Sequence, residues 1–267
     1  METKEKRKIK IVGISIWRIL AYFIIYSVVG YIIETLYGML TKGVIESRQS
    51  FLYGPFCSIY GLGACLMIIC LQKLKKSHNY LFIGGAIVGS IVEYAVSFFG
   101  EMMLHVKWWD YSDLPFNING RICIAFSVFW GILAMYLMCS FNPKVDKLID
   151  KIKSKLSHLV LKTIIITTVI LMLLDCIITG MALRCFQIRK IKEYNLNVNK
   201  KELVTEIYDD IYGNENLSNF IYKYWNDRKM ILTFPNLKIQ DKDGNIIYFR
   251  DLVPDVKPYY FMIYEKN

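Results

Sequence analysis

Apolar residues in this chain fall in long blocks instead of alternating with polar ones. Five blocks predict helices, at residues 17–39, 56–71, 80–104, 122–141 and 163–183. Most approach the ~20 residues that an α-helix needs to cross the hydrocarbon core of a bilayer. The second is shorter and holds the glycine-rich "YGLGA". Asn142-Pro143 is expected to end the fourth, because proline cannot continue a helix.

Beyond the fourth block the pattern changes. In "KVDKLIDKIKSKLSHLV", Val145, Leu148, Ile149, Ile152 and Leu156 recur at three- and four-residue steps, with lysines on the other face. This predicts a basic amphipathic helix suited to an anionic leaflet. From about Lys190 the chain turns polar and rich in tyrosine. Residues 200–229 read as helical, and "MILTFPNLKIQDKDGNIIYFRDL" reads as strand, Asp243-Gly244-Asn245 turn and strand. "DKDGN" begins like a calcium loop, but the later glutamate is missing at the required spacing.

The pattern therefore describes an all-α transmembrane bundle of about five spans, with a small α+β C-terminal tail containing a β-hairpin. Its expected divisions are a basic cytoplasmic N-terminus (1–16), a four-span membrane core (17–141), the basic cytoplasmic helix (142–162), a fifth span (163–183) and a polar extracytoplasmic tail (184–267). The sides follow from lysine and arginine. Basic residues crowd the N-terminus (Lys4, Lys6, Arg7, Lys8, Lys10), the second loop (Lys73, Lys75, Lys76) and the fourth (Lys144 to Lys155), all on one side. The alternate loops carry only Lys42, Arg48 and Lys107. Arg184, Arg189, Lys190 and Lys192 argue the other way for the tail. The expected location is the cell membrane, with the first block retained as a signal anchor because it is too long for a cleaved one.

Composition sharpens this picture. The chain is 54% hydrophobic and 21% charged, and its net charge of +10 comes from residues that flank apolar blocks. Positive-inside topology accounts for that charge, and no nucleic-acid motif accompanies it. None of the seven cysteines forms a CxxC pair. There is no GxxxxGK[ST], GxSxG or HExxH motif, and His78, His105 and His158 are scattered, so no cofactor or metal is expected.

The candidate chemistry lies in charges within the blocks. Glu93 and Asp175 fall near the middle of theirs, Glu34 and Glu101 nearer the outer ends. A mid-membrane carboxylate costs about 3 kcal/mol on insertion scales and needs a partner. Arg48 and Arg121 can reach Glu34 or Glu101. Glu93 and Asp175 have no obvious cation in sequence, which leaves three alternatives: protonation, hydrogen bonds to groups such as Tyr31, Tyr94 or Ser97, or neutralisation by a bound cation. A polar pathway for a proton, cation or solute, and a network that fixes helix packing, both remain open. Gly85 and Gly89 form GxxxG, which points to close packing within the chain.

One loop is dense in polar and aromatic groups: "KWWDYSDLPFNINGR". Trp108, Trp109 and Tyr111 are expected to anchor at the headgroup level. Asp110, Asn117 and Asn119 follow, with Asn119 placed to cap the fourth span. Arg121 returns the chain to the bilayer edge, facing Glu34 or Glu101.

"SRQSFLYGPFCSIYGLGA" and "VEYAVSFFGEMMLHVKWWDYSDLPFNINGRICIAFSVFWG" carry a family resemblance. With Glu34, they resemble the "Putative ABC-transporter type IV" (CmpB-like) permease family of bacterial membrane proteins, over residues 26–137. Ser58 stands where the pattern has proline. The resemblance implies a permease subunit working with a separate ATPase, or as a homo-oligomer, in the lipid bilayer. The chain shows no EAA-type coupling segment. Two alternatives stay open. One is a membrane-embedded enzyme acting on lipid or envelope precursors, using Glu101, Asp110, Asp113, Arg121 and Arg48. The other is a non-catalytic scaffold or sensor.

Overall fold

The computed structural model describes residues 10–104, 107 and 109–264, apart from the side chain of Leu104. The N-terminal cluster of Lys4, Lys6, Arg7 and Lys8, together with His105 and Trp108, lies outside the described residues. The chain opens with a two-residue hairpin, β1 (Lys10–Ile11) and β2 (Ile14–Ser15), and enters α1 (Ile16–Lys42). Ser15 caps α1 by accepting from the Arg18 N–H. Gly43, in the left-handed conformation that glycine adopts freely, ends it. β3 (Val44–Ile45) follows, then an irregular stretch to α2 (Ser58–Leu71).

α3 (His78–Leu104) and α4 (Ile124–Tyr136) pack closely against each other. Gly85 and Gly89 permit it. A Cβ at Gly85 would lie 2.2 Å from the Ala134 Cβ, and one at Gly89 2.4 Å from the Trp130 Cγ. The GxxxG thus packs inside the chain, as its small residues suggest.

Pro143 does not terminate the fourth block. A π-helical turn, Leu137–Phe141, leads directly into α5 (Asn142–Lys155), with Pro143 in its first turn. The widened turn absorbs the break that proline was expected to make. α5 buries Val145 and Ile149 in the bundle. Its acidic residues meet α1: Arg18 pairs with Asp150, and the Tyr22 hydroxyl donates to Asp146. α6 (His158–Glu193) returns across the bundle.

Among the described residues, four helices, Ile16–Lys42, His78–Met103, Ile124–Lys155 and His158–Glu193, are long and apolar enough to cross a membrane. α2 is the short fifth apolar helix and does not start level with the others. The Cys57 N–H donates to the Ser27 carbonyl at 2.8 Å, about 17 Å along α1 at 1.5 Å per residue. Residues 46–57 therefore descend as irregular backbone to mid-depth, and α2 covers only the remaining half.

The last turns of α6 leave the bundle and become the core of the tail. Phe186, Ile188 and Ile191 are buried there against Ile221, Met230 and Phe249. The helical stretch is divided into α7 (Lys201–Gly213), α8 (Glu215–Tyr224) and α9 (Asp227–Thr233). The expected first strand is thus partly α9, because Asn226 caps a helix by accepting from the Lys229 N–H. The hairpin is shorter than its sequence suggests: β4 (Lys238–Gln240) and β5 (Ile246–Tyr248), with Ile239 opposite Ile247. Asp241 holds its turn by accepting from the Asp243 and Asn245 N–H groups. β6 (Phe261–Met262) pairs with β3, and Lys107 bridges to Lys238, so the tail caps the end of the bundle where α1 and α3 finish.

The basic residues after the fifth block belong to this tail core. Arg189 is 1% exposed and pairs with Asp227 at 2.6 Å. Lys190 reaches Asp227 and Glu193, both at 2.5 Å.

Candidate functional site

Among the described residues, the charged residues singled out within and beside the spans fall into three groups, apart from the Arg18, Tyr22 and Asp146 contacts between α1 and α5. In the first, Glu93 of α3 is 5% exposed and accepts two hydrogen bonds. One comes from the Tyr111 hydroxyl at 2.8 Å, the other from the Trp130 indole N–H at 3.0 Å. No salt bridge to Glu93 occurs among the described residues. The Trp130 ring packs on Tyr60 of α2, with centroids 5.8 Å apart, and the Tyr60 hydroxyl donates to Glu34 of α1 at 2.8 Å. One aromatic bridge thus joins the two carboxylates. Backbone spacing makes room for it. A Cβ at Gly30 would lie 2.3 Å from the Tyr60 Cβ, and Gly89 gives Trp130 the same clearance.

Tyr111 belongs to the loop between α3 and α4, and its place there corrects the expectation of headgroup-level trim. Its ring stacks on Phe126, 4.5 Å between centroids, and its hydroxyl points into the bundle. Burial pushes its phenol well above the ordinary range, and the Glu93 and Glu34 charges add to this, so it stays protonated as a donor. The loop is folded tightly enough to hold it. The Tyr111 N–H donates to the Gly120 carbonyl at 2.8 Å, and Trp109 Nε1 to the Arg121 carbonyl at 3.1 Å. Asn117 Nδ2 donates to the Leu114 carbonyl at 2.9 Å, while its Oδ1 accepts from the Gly120 N–H. Gly120 sits at φ +66°, and a Cβ there would lie 2.6 Å from Asp110 Oδ1. Burial would raise the Asp110 pKa. The Ser112 hydroxyl and N–H, with Lys107 and Lys238, outweigh it and hold the carboxyl below its usual range.

The second group lies toward the tail. Arg121 pairs with Glu101 at 2.7 Å and packs over the Tyr94 and Phe98 rings. Of its two possible partners, Glu101 is the one it meets. Asn119 does not cap α4, whose first turn follows Cys123 without a side-chain cap; its amide instead donates to the Tyr94 hydroxyl at 2.9 Å. Tyr94 is therefore a partner of the loop and not of Glu93. Arg48 meets Glu46 at 2.6 Å and Glu34 at 3.9 Å, and Lys42 also meets Glu46 at 2.6 Å. The sequence reading missed Glu46, which is 4% exposed. It falls outside every apolar block, so nothing marked it as buried.

Asp175 forms the third group, apart from Glu93. Its carboxylate accepts from the Tyr53 N–H at 3.1 Å and from the Thr179 hydroxyl at 3.2 Å, and Thr179 accepts from the Leu52 N–H at 2.7 Å. Irregular backbone at membrane depth must have its N–H groups satisfied by protein. Asp175 and Thr179 do this for the descending 46–57 segment.

The fold and these groups define a multi-pass membrane protein with charged and aromatic groups sealed among its helices. The family described as "Putative ABC-transporter type IV" matches residues 21–180, and the chain belongs to it. The match runs from the second turn of α1 through Asp175 and Thr179, and stops short of the tail. No curated protein and no solved structure is significantly similar to the chain.

Proposed function

We propose that the chain is the permease-like subunit of a transporter in the cell membrane, working with a separate ATPase. The N-terminus and α5 face the cytoplasm, and the tail lies outside. The supporting observation is the break at mid-depth. Residues 46–57 descend irregularly, α2 starts beside Ser27, and the linked carboxylates Glu93 and Glu34 flank that break. Transporters commonly bind substrate near the midplane, where a helix is discontinuous. Glu93 has two neutral donors and no paired cation among the described residues, which suits a site for a cation, proton or polar solute. Tyr111 is its cover on the tail side. For the site to open outward, the Tyr111 hydroxyl leaves Glu93 and the loop moves away.

Orientation rests on the basic loops and on the tail. Arg189 and Lys190 are neutralised by Asp227 and Glu193, and so lose their force as topology signals. A membrane enzyme is less well supported. The outer groups it would use engage one another: Arg121 holds Glu101, and Asp110 holds Ser112 and Lys107.

Purification of the tagged chain from its own membrane tests the assignment. A stoichiometric nucleotide-binding ATPase is expected in the eluate. Isolated chain that turns over a lipid-linked precursor on its own would contradict it.

A further inference from the structure

At the end of the bundle opposite the tail, a cavity of about 660 Å³ opens between α1, α5 and α6. Its inner walls are apolar: Ile24, Ile25, Ile68, Ile164 and Ile165. Its mouth is basic, with Lys10, Lys75, Lys153 and Lys162. The two carboxylates at the mouth are already engaged, Asp150 by Arg18 and Asp146 by Arg18 and the Tyr22 hydroxyl. That leaves the four lysines without an ion pair among the described residues. The Lys162 ammonium lies over the Trp17 ring, 4.9 Å from its centroid, so the charge is held at the rim by an aromatic wall. Gln72 also lines the cavity, and its side-chain oxygen is buried without a partner.

The dimensions select the occupant. Along α6 the lining runs from His158 to Thr168, about 15 Å at 1.5 Å per residue. That is one leaflet of a hydrocarbon core of about 30 Å. An apolar helix would cover the isoleucines and leave the mouth lysines without an anion. A free anion would use the lysines and leave the isoleucines idle. A molecule with a charged head and a long apolar tail uses both.

We propose that this cavity binds one anionic glycerophospholipid. Its phosphate sits among the mouth lysines, with Lys153 and Lys162 the main contacts. Its headgroup hydroxyl donates to Gln72, and one acyl chain runs along the isoleucines between α1 and α6. Basic pockets between helices on the cytoplasmic side are suited to such headgroups. The site stands apart from Glu93 and does not depend on the transport reading.

Trp17 lines the cavity and reports on it. The chain is placed in phosphatidylcholine vesicles in which a fixed minor share of lipid carries brominated chains, as phosphatidylglycerol or as phosphatidylcholine. Quenching is taken as the difference between wild type and Trp17→Phe, which isolates Trp17 from the other tryptophans. The Trp17 component should favour brominated phosphatidylglycerol by at least about fivefold, the contribution of one basic residue at an anionic surface. Lys153→Gln with Lys162→Gln should bring the two lipids to parity, and Lys73→Gln with Lys76→Gln, outside the cavity, should keep the preference. Lys153→Gln alone, at an exposed position, should lose part of it, and serves if the double variant does not assemble. Excess glycerol phosphate should not displace the lipid. No preference in wild type, equal loss in the control pair, or displacement by glycerol phosphate overturns the proposal.

Discussion

The Tyr111 hydroxyl donates to Glu93 at 2.8 Å, although one residue lies in a loop beyond the membrane helices and the other deep in α3. A loop that reads as an interfacial anchor thus sends one side chain, Tyr111, into the bundle interior, while Phe116 and Ile118 stay exposed. Tyr111→Phe should destabilise the protein by about 1–3 kcal/mol, the cost of leaving a buried acceptor short of a donor. Thermal unfolding in detergent measures this. A change within error would return Tyr111 to the surface.

The ion pair of Arg121 and Glu101 gives a second test. Both side chains are partly exposed, so Arg121→Glu should cost about 1–2 kcal/mol, less than a fully buried pair. Adding Glu101→Arg should recover part of that loss, and adding Glu34→Arg should recover none. Folded yield and unfolding temperature of the variants decide between the two partners.

Glycine sockets are specific to their aromatic rings. Gly89→Ala drives a methyl into Trp130 and Gly30→Ala drives one into Tyr60, each at an overpacking cost of about 1–3 kcal/mol. Gly213→Ala, with nothing within 4 Å of the added carbon, should be neutral or stabilising by up to about 1 kcal/mol. Comparable losses at all three positions would mean that glycine acts through backbone freedom and not through packing.

Asp110 makes the loop acid-sensitive. Its folded pKa lies below the unfolded value of about 3.9. The stability it contributes is therefore complete above that value and is lost as pH falls through the lower folded one. Amide exchange in residues 109–121 should be flat from neutral pH down to about 5, after correction for intrinsic rates, and accelerate below 4. Asp110→Asn should remove the acid step.

The bundle was legible because a lipid-exposed helix must be apolar along its length, and five such blocks stand out. The Arg121 pairing was legible as a choice of two, since few cations lie near a bilayer edge. Three features were not. Pro143 reads as a stop, yet a π-helical turn needs no sequence signature and carried the helix past it. The half-length of α2 depends on Cys57 meeting Ser27, a tertiary contact. Tyr111 and Trp130 were visible only as aromatic residues, and composition does not tell a ring at the headgroups from one that donates to a buried carboxylate.

In the proposed transport site, Tyr111 closes a polar route from the tail side to Glu93. Ser97 is buried one turn above Glu93 on α3 and leaves the Tyr111 bond intact. Ser97→Cys is introduced after the seven native cysteines are replaced, and its reaction with an impermeant thiol reagent is timed from the tail side. With Tyr111 present the thiol should be nearly inert, and with Tyr111→Ala it should react at least about tenfold faster, as for a ~1.4 kcal/mol change in opening. Equal rates in the two backgrounds, or reaction only from the opposite side, would contradict the account.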